Sequence, residues 1–395
     1  MILSLRLALS GLVLAGLTLL ALRIDSAGGQ SRQLAFALLT GGALGVVLQR
    51  ARFCFLCNLR DLVEARDPRG VLSILAALGA GLLGYFIIFG MWLPTPSADR
   101  LPPTAHIGPV SVALALGAFA FGIGMATAGS CISAHFYRLG EGNIASLFAL
   151  AGAFVGFVLG FMSWNRLFMA DLTDGPVIWL PHHLGYGGSL ALSLAALAVL
   201  TAFVLRHGHA IPRPPSGSHG PVAGFRSVFV ERWPPVLGGV LVGVIGTFAY
   251  LRLAPLGVTS QLGTWARKSA SSVHLLPDTL YSLDTFRGCA TALTDAFLTP
   301  NGYLVGGLVF GSFGAALASG KFTLAIPSLR QVARSLLGGI LMGWGAMTAL
   351  GCTVGVLLSG IQAGALAGWV FLVFCTAGAV GGLLALRRIE SRASS

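Results

Sequence analysis

The sequence predicts an all-α integral membrane protein. About ten hydrophobic segments, including short broken or re-entrant helices, are expected to form two inverted-topology repeats. Three observations carry this prediction. Hydrophobic residues make up 55% of the chain and charged residues only 10%, with a mean hydropathy of +0.84, too apolar a balance for a soluble domain of this size. Glycine accounts for 55 of the 395 residues, as in membrane helices packed backbone to backbone. Finally, Gly343-Trp-Gly-Ala-Met-Thr-Ala-Leu-Gly-Cys352 is apolar enough for a bilayer but too glycine-broken for a plain membrane helix. Gly122-Ile-Gly-Met-Ala-Thr-Ala-Gly-Ser-Cys131 repeats it with five of ten positions identical. Interrupted hydrophobic segments at corresponding places in two halves of a chain point to a transporter's binding site.

A helix crosses the hydrocarbon core with about 20 mostly apolar residues. Runs of that character lie near residues 5–22, 34–48, 70–93, 110–126, 143–163, 187–206, 236–254, 302–320, 335–350 and 363–386. Basic residues then set orientation: Arg50, Arg52, Arg60, Arg66 and Arg69; Arg206, Arg213, Arg226 and Arg232; Lys321, Arg330 and Arg334; Arg387, Arg388 and Arg392. One threading puts all of these in the cytoplasm and the loops 94–109 and 164–186 outside. In that threading the segment ending at Cys131 runs toward the cytoplasm and the one ending at Cys352 runs away from it, hence the inversion. Residues 1–33 then form an N-terminal extra helix, expected to be retained because no small-x-small cleavage site precedes Arg23. Residues 34–206 form the first membrane repeat with a connecting helix, 207–235 a Pro/Gly/Ser-rich cytoplasmic linker, and 236–395 the second repeat. The more polar stretch 255–301 is expected to fold back against the outer mouth.

The net charge of +12 is scattered at the ends of apolar runs rather than gathered in a stripe, so nucleic acid is not the expected partner. No P-loop pattern occurs, so ATP is not expected to drive the chain directly. Neither a metal nor a cofactor is expected.

Six cysteines occur, mostly in or beside apolar segments, and are read as mainly free thiols. Cys131 and Cys352 are the leading candidates. At a helix break, backbone N–H groups around Ser130, Gly351 and Thr353 would be exposed and would favour an anion, with Thr127 and Thr348 in the preceding turns as supporting hydroxyls. An apolar setting keeps a thiol protonated, and a neutral S–H is a weak donor with a polarizable surface. That chemistry suits a soft, sulfur-bearing oxyanion. Cys54 follows Arg50 and Arg52, which either attract an anion or mark the cytoplasmic side. Cys57 completes a C-x-x-C spacing that permits a redox pair or half a metal site, but no second such pair exists. His135, four residues after Cys131, is expected to pack rather than act as a base. Cys289, beside Arg287, either lines an outer entrance or packs; Cys375 is expected in the core.

At these residues the sequence resembles the YeeE/YedE family of sulfur-compound transporters. Ala128-Gly-Ser-Cys131-Ile-Ser-Ala-His-Phe-Tyr-Arg-Leu-Gly-Glu141 is similar to the family's first cysteine loop. Gly351-Cys352-Thr-Val-Gly-Val-Leu-Leu-Ser-Gly360 is similar to its last, and Arg52-Phe-Cys54-Phe to its early motif. The resemblance implies uptake of thiosulfate or a related sulfur anion across the cell inner membrane, past thiols at Cys54, Cys131 and Cys352, with a TusA-like sulfur carrier as cytoplasmic partner. It leaves open a selenium-compound transporter, or a membrane sulfurtransferase that forms a cysteine persulfide. Cys57 and Cys289 are additions to the family pattern.

Overall fold

The computed structural model describes residues 2–26, 28–29, 31–97, 100–209, 229–283 and 296–393. Arg287, Cys289 and residues 210–228 of the linker lie outside them. Among the described residues there is no β-strand; nine helices are long and apolar enough to cross a membrane, and a tenth span forms if one bent pair is joined.

In chain order the helices are α1 (Ile2–Asp25), α2 (Ser31–Ala51), α3 (Phe55–Ala65), α4 (Arg69–Trp92), α5 (Val112–Ala128), α6 (Ile132–Gly140) and α7 (Ala145–Leu167). There follow α8 (Leu180–His207), α9 (Pro235–Arg252), α10 (Ser260–Ser272), α11 (Pro300–Ser319), α12 (Leu329–Thr348), α13 (Thr353–Gln362) and α14 (Leu366–Ala393). Local chemistry starts several of them. The Ser111 and Thr299 hydroxyls accept from Leu114 and Gly302 at the heads of α5 and α11, and Ser328 forms a capping box with Gln331 at α12, the side-chain solution to orphan N–H groups.

The order long, short, long, long, short, long occurs in α2–α7 and again in α9–α14, with α1 and α8 outside both series. Packing crosses between the two series. α2 lies on α11 and α4 on α9; α5 lies on α14 and α7 on α12; α5 and α12 meet each other. Exchanging the two series maps this set of pairs onto itself. All four short helices fall between the apolar runs of the sequence, three of them because they carry Asn58, Arg60 and Asp61, or His135 and Arg138, or Gln261, Arg267 and Lys268. The fourth, α13, is bent by 43° from α12.

Glycine sets how closely these pairs approach. A Cβ on Gly45 of α2 would run into the Leu308 carbonyl of α11, one on Gly239 of α9 into the Ser73 carbonyl of α4, and one on Gly343 of α12 into the Ala153 carbonyl of α7. Lipid tails are as apolar as leucine, so such close backbone contact, rather than water exclusion, holds membrane helices together. Helix α1 joins at the periphery, where Leu17 and Ala21 pack against Ala35 and Leu38.

The loops gather at two ends. At one, Arg50 donates to the Val230 carbonyl at 3.2 Å, His209 N–H to the Arg66 carbonyl at 2.8 Å, and Arg387 pairs with Glu64 at 3.1 Å. At the other, Tyr186 and Tyr250 donate to the carbonyls of Leu93 and Pro103, both at 2.7 Å. Of the stretch 255–301, the described part before residue 284 packs back on the bundle: α10 lies along α7, and Trp164 donates to the Tyr281 carbonyl at 2.9 Å.

Gly45→Ala is expected to lose about 1–3 kcal/mol of stability through overpacking. Gly11→Ala, in mid-helix where an added Cβ meets nothing within 4 Å, should lose no stability and gain up to about 1 kcal/mol; melting temperatures of the two variants in detergent make the comparison.

Candidate functional site

Three short helices begin at a cysteine. Cys54 stands at the cap position of α3, Cys131 at that of α6 and Cys352 at that of α13, each with an extended backbone. Two residues before each, the chain turns left-handed: Arg52 at φ 51°, Gly129 at φ 84° and Leu350 at φ 60°. A left-handed residue ends the incoming helix, one further residue redirects the chain, and the cysteine opens the next helix. Only one of these three turns carries the glycine that such a conformation favours.

All three cysteines are buried, each at 1% exposure. The Cys54 and Cys131 sulfurs lie 3.9 Å apart, and the Cys131 sulfur lies 3.2 Å from the Ser133 hydroxyl. Cys57 N–H points at the Cys54 sulfur at 3.5 Å, and Arg138 donates to the Cys57 sulfur at 3.2 Å. The cysteines 54, 57, 131, 352 and 375 are free thiols. Among the described residues no group of His, Cys, Asp or Glu could hold a metal ion.

Between the hinges lies a cavity of about 20 Å³ whose walls include Phe55, Cys131, Ser133, Thr353 and Val354. These residues head α3, α6 and α13, so three helix N-termini face one small space. Val258, just ahead of α10, closes a fourth side, and Leu44, Leu48, Ile74 and Val242 from α2, α4 and α9 complete an apolar wall. Helix N-termini carry partial positive charge and unpaired N–H groups; neither Cys131 nor Cys352 caps its helix with a side-chain hydrogen bond. Oriented helix N-termini attract anions, but the wall facing this space is almost wholly apolar. The volume admits one water; a larger ion fits only if the walls move.

Toward the arginine-rich end, a wider cavity of about 190 Å³ is lined by Arg52, Cys57, Arg69 and Arg232, with Asp61 and Asp67. Beside it, Gln49 bridges Glu141 and Ser319 at 3.2 and 3.4 Å. Burial first, and then Arg232 and Arg50, push the Lys321 ammonium down to about 8, with Glu141 partly opposing them.

Of the sequence candidates, Cys54 and Cys131 come into contact, and Cys131 and Thr353 share the central cavity. Cys352 stands one residue behind that wall, with Gly351 at the same hinge. Arg52 lines the wider cavity. The Ser130 hydroxyl turns to the Gly129 carbonyl at 2.7 Å, and Thr127 bonds the Ile123 carbonyl of its own helix at 2.9 Å. The Thr348 hydroxyl, at the matching position, is buried without a partner. His135 is buried and meets Ser146 at 3.2 Å through Nδ1, while its Nε2 has no partner. Sequence reasoning missed Ser133 and Arg138; their i+2 and i+7 spacing from Cys131 was the available signal.

Broken helices whose N-termini face a closed cavity deep in a bundle define a multi-pass membrane protein of the architecture that transporters use. The chain belongs to the sulphur transport family, whose model matches residues 50–381. It is 29% identical over 357 residues to the thiosulfate transporter TsuA of Escherichia coli K12, covering 86% of this chain and 91% of that protein. It is likewise 29% identical over 366 residues to the thiosulfate transporter TsuA of Spirochaeta thermophila, covering 85% and 94%.

Because an added Cβ at Gly129 meets nothing within 4 Å, Gly129→Ala isolates the left-handed turn. It is expected to cost about 1–2 kcal/mol, seen as a lower melting temperature with no change in secondary structure.

Proposed function

We propose that this protein carries thiosulfate or a related sulfur anion across the cell inner membrane through a path lined by Cys352, Cys131 and Cys54. The carrying observation is the convergence of three cysteine-headed helices on one apolar cavity. An ion leaving water there meets helix N–H groups and S–H donors in place of its hydration shell, which lowers the cost of burying charge. Thiols hand the ion on by weak S–H hydrogen bonds, and no covalent bond forms. Membership of the sulphur transport family and likeness to two thiosulfate transporters support this substrate.

The same reading treats α2–α7 and α9–α14 as inverted repeats related by an axis in the membrane plane, and places the arginine-rich end in the cytoplasm. Movement of the two hinges, α5–α6 and α12–α13, opens the cavity alternately. A TusA-like carrier would dock at the cavity lined by Arg52, Cys57 and Arg232 and meet the intact anion there.

In proteoliposomes, Cys131→Ala and Cys352→Ala are each expected to cut uptake of labelled thiosulfate at least tenfold at unchanged abundance, with Cys375→Ala as the neutral control. Uptake at the unmutated rate in both variants would count against the path. A persulfide found by mass spectrometry on Cys54 or Cys131 after thiosulfate exposure would instead favour covalent sulfur transfer.

The Lys321 ammonium, set among Arg50, Arg52, Arg232 and Glu141, is protonated below about 8 and neutral above it. Raising pH from 7 to 9 on the arginine-rich side therefore removes a positive charge and weakens anion attraction. Half-saturating thiosulfate on that side should rise about two- to threefold, and Lys321→Arg should flatten the rise.

A further inference from the structure

The loop between α4 and α5 brings His106 over the α12–α13 hinge. Its side chain is 2% exposed, its Nδ1 has no hydrogen-bond partner, and its carbonyl lies close to Gly360 of α13. Thr348, the last residue of α12, is also 2% exposed with an unpartnered hydroxyl. Both residues line one cavity of about 10 Å³, whose other walls include Ser111, Leu114, Leu350 and Val356. Buried polar groups are almost always hydrogen-bonded, so two orphans on residues that line one cavity call for a shared partner. Thr127 supplies the internal comparison: at the corresponding place before Cys131, its hydroxyl bonds its own helix.

We propose that His106 and Thr348 form an outer binding station, where an imidazole N–H and a hydroxyl donate to the oxygen atoms of the transported sulfur oxyanion just before it reaches Cys352. This rests on the transport function proposed above. Two neutral donors hold the oxygens and leave the sulfur end of the ion free to meet the thiol. The imidazole is neutral at physiological pH, because burial pushes it down to about 4; it therefore acts as a hydrogen-bond donor and not as a cation. The cavity is at the lower limit for a single water, so the station opens with the hinge. Leu350, held left-handed between Thr348 and Cys352, is the residue whose relaxation would open it.

The test uses the full chain in proteoliposomes with labelled thiosulfate. His106→Ala and Thr348→Val are each expected to raise KM about tenfold or more, the range for a lost hydrogen bond to a charged group, with membrane abundance unchanged. His106→Gln and Thr348→Ser should restore most of the affinity. Thr348→Val should also melt no lower than the parent, because it removes an unpaired buried hydroxyl. If the two groups only hold a structural water, Thr348→Val will instead melt lower and leave KM unchanged, and the station is overturned. Parental KM in both His106→Ala and Thr348→Val overturns it as well. Absence of thiosulfate uptake by the unmutated protein would sink the transport function itself, whereas robust parental uptake with unaffected variants sinks only the station.

Discussion

A backbone turn, more than any side-chain contact, organises this molecule. At three of its left-handed residues, Arg52, Gly129 and Leu350, a cysteine two positions later opens a short helix. The turn stops one helix and frees the N–H groups at the start of the next. Inside a bilayer such groups cannot be left to water; they are tolerable only where protein encloses them or an ion visits. Non-glycine residues hold the conformation at two of the three sites, at a cost of order 1–3 kcal/mol each. Strain of that size persists only where the surroundings over-determine it. At Leu350 the surroundings are the cavity it lines with His106 and Thr348.

The surroundings are rigid because the long helices are locked to each other through glycine. Gly307 and Gly311 of α11 sit against the backbone of α2, while Gly124 of α5 and Gly338 of α12 face each other's helices with equally little clearance. Helices pressed together in this way cannot slide easily, so motion is left to the short ones. α6 and α13 are the elements that combine an uncapped N-terminus with a break immediately before them. On the proposed function, a frame of close-packed long helices around short ones set at breaks leaves any movement that admits an ion to the short helices.

Much of this was legible in the sequence, and the reason differs from part to part. The two glycine-threonine-alanine frames before Cys131 and Cys352 marked both breaks, because a glycine-rich interruption of an apolar run cannot continue as an ordinary span. The ten apolar runs located the long helices. The short helices α3, α6 and α10 stayed hidden, since their polar residues lowered the hydropathy that located everything else. The contact between Cys54 and Cys131 could not be read at all: it joins residues far apart in the chain where α6 packs against α2 and α11, which only packing determines. Nor did the left-handed turns at Arg52 and Leu350 leave a trace, because neither residue is one that favours the conformation. His106 was invisible for the opposite reason. A single histidine in a proline-rich loop carries no periodicity, and its significance comes entirely from what lies beneath it.

Thr127 and Thr348 show where the two halves part in chemistry. The two residues occupy the same register in near-identical frames, yet one hydroxyl is satisfied by its own helix and the other is not. Local sequence cannot account for that, so the cause lies in the neighbours. Beyond Cys131 the chain leads to the Cys54 thiol and on to the arginine-lined cavity, where charge is already provided. Beyond Thr348 lie His106 and an apolar wall, and no formal cation among the described residues lines that cavity. On the proposed path, an anion arriving from that side would have only neutral donors to replace its water, and a hydroxyl already bonded within its own helix would donate to it less readily. On that reading the two cysteine-ended frames are expected to differ in chemistry where they face different ends of the path.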